Sequence, residues 1–355
     1  MIKSHHATLS VDLKKNIANW KHYQKLCPTA EVSAVIKADA YGVGAIPLYS
    51  ALREAGCKSF WVATLDEALS LKSHDIYANV SVLGGITKDT ADIFVSNNIT
   101  PVLNSINQIK IWQELQSNTP VWIQFDTSMN RFGVEPSQLE AIVEILSKGN
   151  ISVVGYMSHL LAGEESDNSI NATQKELFDA ILSELPPAKA SLCNTAGTFL
   201  GREYHYDMVR IGIGLYGIPC SNSADIEFEN SLTLSAPILN TRTVTEGMNV
   251  GYNQAFIAEE KMRIATVGIG YADGLNIALS NVGNVYYNGE ILPIIGRISM
   301  DSMGVDISAV PYLSEGDMVT IFDSCDDISI ISACADIPEH TVLATLTSRV
   351  IRKYI

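Results

Sequence analysis

The chain is short of positive charge: 24 Lys and Arg stand against 39 Asp and Glu, a net charge of -15 at pH 7. A surface of that sign repels phosphate backbones and anionic headgroups, which argues against nucleic acid and membrane as partners. The six cysteines, at 27, 57, 193, 220, 325 and 334, form no CxxC pair and no metal-like cluster with the seven histidines. Free thiols in a reducing compartment are expected, and no metal. His5 and His6 are adjacent but lack acidic or cysteine companions at ligand spacing, so they read as surface residues. Long apolar runs are also missing. No stretch approaches the roughly 18 residues of a membrane span, and the opening MIKSHHATLSVDL lacks the apolar core of a signal peptide. A cytoplasmic protein is expected.

What is present fits two cores: 355 residues, 47% of them hydrophobic and 18% charged. Eight short β-rich runs precede residue 220: Val32 to Ala38, Phe60 to Thr64, Val80 to Gly84, Ile99 to Leu103, Val121 to Asp126, Ile151 to Ser158, Lys189 to Asn194 and Met208 to Tyr216. Segments of helical period lie between them, among them Ile46 to Ala55, Glu67 to Lys72, Ile106 to Leu115, Pro136 to Leu146 and Thr173 to Leu182. Strands that are apolar on both faces, alternating eight times with helices, predict a parallel (β/α)8 TIM-like barrel, an α/β fold. After about residue 225 the texture becomes β-branched runs and turn signals, including Asn288-Gly289, which suits a type I′ hairpin. The expected division is a barrel over 1–225 and a mostly-β domain over 226–355, broken in the Ser/Asn/Asp-rich stretch Cys220 to Asn230.

In such a barrel, active residues gather at the C-terminal ends of strands. Lys37 ends strand one, Leu83 strand three and His159 strand six; Arg131 follows strand five, Asn194 and Thr195 end strand seven, and Arg210 to Ile213 lie in strand eight. An amine that must condense with an aldehyde has to be partly desolvated and held on a rigid element, which Lys37 satisfies if its strand is buried. The plain alternative is a solvated lysine at a strand end, and Tyr41 with two following glycines favours the first reading. RIGIGLYG contains a formal GxGxxG at Gly212, Gly214 and Gly217, but Pro219 and a polar connector follow where a dinucleotide site needs a helix. These glycines are better read as letting backbone N–H groups approach one phosphate.

KADAYGVG, from Lys37 to Gly44, resembles the pyridoxal phosphate lysine signature of alanine racemases, and the likeness runs in order over nearly the whole chain. DTSMNRFG contains Arg131, GYMSHL contains His159, VRIGIGLYG contains Arg210, VGYNQAF contains Tyr252, IGYADG contains Tyr271, and GRISMD ends in Met300 and Asp301. The resemblance implies a pyridoxal phosphate enzyme with its phosphate held by Tyr41, Thr195 and the backbone of Gly212 and Ile213. Leu83, His159, Asn194 and Arg210 would complete the cofactor site, Arg131 and Met300 would bind substrate, and Gln124, Tyr271 and Asp301 would support them. Four departures stand out: Gln124 where a lysine, often carbamylated, is common; Ser128 in place of a glycine; Thr195 in place of a serine; and Ser348 where some members place a tyrosine.

The implied reaction interconverts L- and D-alanine by two bases on opposite faces, Lys37 and Tyr252, and supplies D-alanine for peptidoglycan or consumes it. The family likeness makes the active unit a homodimer, with Tyr252 and Met300 contributed across the interface. His159 would hydrogen-bond Arg210 and Tyr252. The rivals are a racemase for serine or a broader set of amino acids, a decarboxylase of the same architecture, and a non-catalytic pyridoxal phosphate-binding protein. Arg210 opposes the decarboxylase, and Tyr252 with its domain opposes the binding protein.

Overall fold

The computed structural model describes residues 6–218 and 228–355. His5, Cys220 and the expected break at 225 lie outside the described residues. Strand β1 (Thr8–Val11) is followed by β2 (Glu31–Val35), β3 (Phe60–Val62), β4 (Val80–Val82), β5 (Thr100–Leu103), β6 (Val121–Gln124), β7 (Val153–Met157), β8 (Lys189–Ser191) and β9 (Met208–Ile211). Strands β2 to β9 pair in parallel in the order β8-β7-β6-β5-β4-β3-β2-β9. The two end strands meet through Asp207 N–H on the Ala190 carbonyl and Arg210 N–H on that of Cys193, both at 3.1 Å, so the sheet closes nearly completely. All eight expected strands are therefore present. Their apolar composition follows from double burial: β3, β4, β5 and β6 have no exposed residue.

The period-two alternation along β2 puts Glu31, Ser33 and Val35 successively on the inner face, running from the bottom of the barrel toward its mouth. One residue from each of six strands, Val35, Trp61, Val102, Trp122, Met157 and Met208, packs into a cluster that plugs the middle. Only the mouth beyond this plug is open to the chemistry of the strand ends.

The second domain is built on the long strand β10 (Leu232–Val244), which pairs with strands Met262–Val267 and Met318–Phe322 and joins them into a ring with Met303–Asp306, Glu290–Ile295 and Asn284–Tyr287. The expected hairpin is there: Tyr287 faces Glu290, and Asn288 and Gly289 both take positive φ, 49° and 86°. β1, expected within the barrel half, lies instead in this second sheet, antiparallel to β10 and parallel to the C-terminal strand Ile351–Tyr354. The C-terminal strand thus passes beside the barrel mouth, where Arg352 and Tyr354 reach Gly42 and Val43. Among the described residues no helix is long and apolar enough to cross a membrane.

Candidate active site

Strand β2 stops at Val35, two residues short of Lys37. Lys37 opens a left-handed turn in which Ala38, Asp39, Ala40 and Tyr41 have φ of 54°, 51°, 55° and 59°. Such a conformation costs about 1–2 kcal/mol per L residue, so it persists only where its surroundings hold it. Glu67 Oε1 accepts from Ala38 N–H at 2.5 Å, while its Oε2 accepts from Ala63 and Thr64 N–H to cap helix Leu65–His74. The Tyr216 hydroxyl donates to the Ala40 carbonyl at 2.5 Å, and the Asp39 carboxylate accepts from Ala45 N–H at 2.7 Å. From the second domain, Arg352 donates to the Gly42 carbonyl through Nε and Nη2, at 3.0 and 2.8 Å, and the Tyr354 hydroxyl donates to that of Val43 at 3.1 Å. Glu67, Arg352 and Tyr354 were not among the residues singled out from sequence. The Thr64-x-x-Glu67 capping box is a sequence signal for the first; nothing local marks the other two.

Burial, with Arg131 close by, holds the Lys37 amine below the ordinary lysine range; Glu67 opposes this and Arg210 adds to it. His159 is pushed down to about 3 by burial and by Arg210, Arg131 and Lys37. It is therefore a neutral imidazole at physiological pH. Arg210 is 3% exposed and donates to the Ser158 carbonyl at 2.7 Å, the Leu192 carbonyl at 3.2 Å and the Ser191 hydroxyl at 2.5 Å. Its Nη2 also lies 3.3 Å from His159 Nδ1. A guanidinium can only donate, so Nδ1 accepts and the ring proton belongs on Nε2. Burial brings Arg210 down to about 10, which leaves it a cation. Three cations thus surround one neutral imidazole in an acidic protein.

Strand β9 also ends early, at Ile211; Gly212 breaks it, and Ile213–Tyr216 form a 3-10 turn where extended structure was expected. A Cβ at Gly212 would stand 2.2 Å from the Tyr41 hydroxyl, and its N–H donates to Thr195 Oγ1 at 3.0 Å. Tyr41, Thr195, Gly212 and Ile213 are thereby brought together beside Lys37 on one rim. Asn194 Oδ1 accepts from Gly197 N–H at 2.9 Å and shapes the adjoining turn. The Leu83 carbonyl accepts from Asn104 Nδ2 at 2.9 Å, while its side chain rests on the interior plug. A desolvated amine, a cradle that admits no Cβ and a buried guanidinium fit a phosphorylated aldehyde such as pyridoxal phosphate.

Arg131 is exposed on the loop after β6. Asp126 Oδ1 accepts from Ser128 and Asn130 N–H at 3.0 and 3.1 Å, which curls the loop. Gln124, 7% exposed, donates to the Phe132 carbonyl at 3.3 Å and so fixes the backbone next to Arg131. Ser128 stands at φ 110°, a region that glycine alone occupies readily.

The remaining expected residues lie on the second domain. Tyr271 N–H and Ala272 N–H donate to the Ser299 and Met300 carbonyls, at 3.1 and 2.9 Å, which ties the two loops together. Arg349 bridges Asp273 at 3.0 Å and Asp301 at 2.7 Å. Tyr252, Met300 and Tyr271 are 66%, 53% and 45% exposed. Among the described residues, neither Tyr252 nor Met300 has a side-chain hydrogen bond or ion pair to the barrel mouth. The single chain does not bring them to Lys37.

Two family models match the chain, "Alanine racemase, N-terminal domain" over residues 11–219 and "Alanine racemase, C-terminal domain" over residues 231–354. The alanine racemase of Rickettsia canadensis is 36% identical over 98% of both chains, and that of Brucella abortus is 36% identical over 98% of this chain and 93% of its own. The structure superposes on an alanine racemase from Bartonella henselae with covalently bound pyridoxal phosphate, at a TM-score of 0.95 and 34% identity over 99% and 100% of the two chains. The match takes in the lysine turn, the arginine-histidine pair and the second domain alike, and the chain belongs to the alanine racemase family.

Proposed function

We propose that this chain interconverts L- and D-alanine with pyridoxal phosphate, using Lys37 and Tyr252 as the two bases. The observation that carries the reading is the cation set Lys37, Arg131 and Arg210 around neutral His159, a positive mouth on a protein of net charge -15. It fits a phosphate and a substrate carboxylate. When bound, the cofactor supplies an electrophilic carbonyl for the substrate amine and a conjugated ring that withdraws electrons from the α-carbon.

Tyr41, Thr195 and the backbone of Gly212 and Ile213 would hold the phosphate, and Lys37 would hold the aldehyde. With the cofactor bound, Arg210 would serve the ring nitrogen and, as a donor only, would leave that atom without a proton, which would restrain side reactions such as transamination. Lys37, released by the incoming amine, takes or returns the α-proton on one face; its lowered pKa makes the neutral amine available. Arg131 orients the substrate carboxylate. Tyr252 and Met300 of the partner subunit complete the other face in a homodimer, a reading supported by the exposure of both side chains on the lone chain. A cytoplasmic location suits the buried, unpaired thiols of Cys27, Cys57 and Cys193.

The test is formation of D-alanine from L-alanine by the purified protein, with L-serine in parallel to separate a strict enzyme from a broad one. Lys37→Ala should lose the covalently held cofactor and several orders of magnitude of rate. Near-normal racemisation by that variant rejects the assignment.

A further inference from the structure

The barrel has a second opening. At the end where the strands begin, opposite Lys37, the interior encloses a cavity of about 340 Å³ below the central plug. Barrels of this type usually fill that layer with branched apolar side chains. Here the inward positions carry the small polar residues Ser59, Ser81 and Thr100 instead. The floor is apolar, formed by Trp61 and Trp122, whose rings lie 5.3 Å apart between centroids and tilted by 52°.

Three polar groups on these walls have no partner. Ser81, Thr100 and Trp122 are 6%, 8% and 2% exposed, and among the described residues none of their side chains makes a hydrogen bond to a protein group. These hydroxyls and the indole N–H are not sealed in the core but open onto the cavity, so each is free to donate to an acceptor that enters it. The rim adds charge. Glu31 is engaged by Lys189 Nζ at 3.0 Å and by the Ser59 hydroxyl at 2.5 Å, whereas Lys58 has no ion pair among the described residues. Two ammonium groups against one carboxylate leave one positive charge over a row of donors.

We propose that this cavity binds a small organic carboxylate, its oxygens received by Lys58, Thr100, Ser81 and Trp122 and its short hydrocarbon body lying on the tryptophan floor. The volume falls at the small end of ligand pockets, which matches an acid of a few carbons. A single unbalanced cation and an apolar floor favour such a monoanion over phosphate. The site uses none of the residues assigned to racemisation, so it stands or falls separately from that reading.

The chain has four tryptophans, at 20, 61, 112 and 122, and two of them report directly on the cavity. Holoenzyme labelled with 5-fluorotryptophan is titrated with butyrate and followed by fluorine NMR, with Trp122→Phe and Trp61→Phe used for assignment. The Trp122 and Trp61 signals should move saturably while those of Trp20 and Trp112 stay fixed. Lys58→Ala, a surface change, and Thr100→Val should each weaken the titration about tenfold, and butyramide should cause no shift. A cavity holding water only would give no saturable shift, or one that survives both variants unchanged; either overturns the proposal. Equal binding of inorganic phosphate overturns the assignment to carboxylates.

Discussion

Replacing Arg352 by alanine should loosen the lysine turn from a distance of more than 300 residues in sequence. The guanidinium places two N–H groups on the Gly42 carbonyl, at 3.0 and 2.8 Å, and further donors on the carbonyls of Leu346 and Val350, at 2.8 and 2.7 Å. At about 1.5 kcal/mol for each charge-assisted bond, losing the two on Gly42 removes about 3 kcal/mol from a turn that is already unfavourable for four L residues. That corresponds to about a 10²-fold increase in local opening. Tyr354→Phe removes one neutral bond, at Val43, worth about 1 kcal/mol, and should raise opening about fivefold. Amide hydrogen exchange on the holoenzyme, read from a peptide spanning residues 37–44, measures both. The Gly42 and Gly44 amides are the reporters, since they donate to the Ala38 and Asp39 carbonyls at 2.7 and 2.8 Å within the turn. If Arg352→Ala opens only residues 346–354 and leaves 37–44 exchanging as in the parent, the turn is held by its own residues and the reasoning fails.

Tyr252→Phe should retain cofactor yet lose 10²-fold or more in racemisation in both directions, while α-hydrogen exchange of the enantiomer served by Lys37 survives in deuterated water. Mixing Lys37→Ala and Tyr252→Phe subunits should restore activity through hybrid dimers; proven subunit exchange without recovery would refute the shared site. His159 bears on acid stability. With its folded pKa near 3 and its unfolded value near 6.5, it is neutral in both states above pH 6.5, and below that the unfolded chain binds the proton first. Stability should therefore fall as pH drops from 6.5 toward 3, by up to about 1.4 kcal/mol per pH unit from this group, and His159→Gln should flatten that slope in denaturant titrations run across the range. Ser128→Gly should raise the denaturation midpoint, by about 1 kcal/mol or more, because the loop position at φ 110° is strained for serine. An unchanged or lower midpoint would show that the strain is relieved elsewhere.

Much of the site was legible because barrel chemistry follows strand ends, and strand ends follow hydrophobic patterning. Lys37, His159 and Thr195 each fall where an apolar run gives way to polar residues, Arg210 and Gly212 lie in the last apolar run, and the structure gathers them on one rim. Helix Ile106–Leu115 has the bounds its periodicity predicts, and Asn288-Gly289 turns where its backbone freedom allows. These are local properties, written in the order of side chains along a few residues.

Other features depend on contacts that no local window contains. The lysine stands on a left-handed turn instead of a strand end, because Glu67, Tyr216, Arg352 and Tyr354 hold a conformation that its own residues disfavour. β1 falls within the span 1–225 expected for the barrel but joins the second sheet, with partners β10 and Ile351–Tyr354 that lie more than 220 residues away. Gln124 serves the backbone at Phe132, a contact set by the curl of the loop after β6. By itself the sequence determined the succession of strands and helices and the chemical groups at their ends, because periodic burial and turn chemistry act over a few residues. Only the tertiary structure decided the handedness of the lysine turn, the neutrality of His159 and the cavity in the lower barrel, because each depends on which distant groups are packed against it.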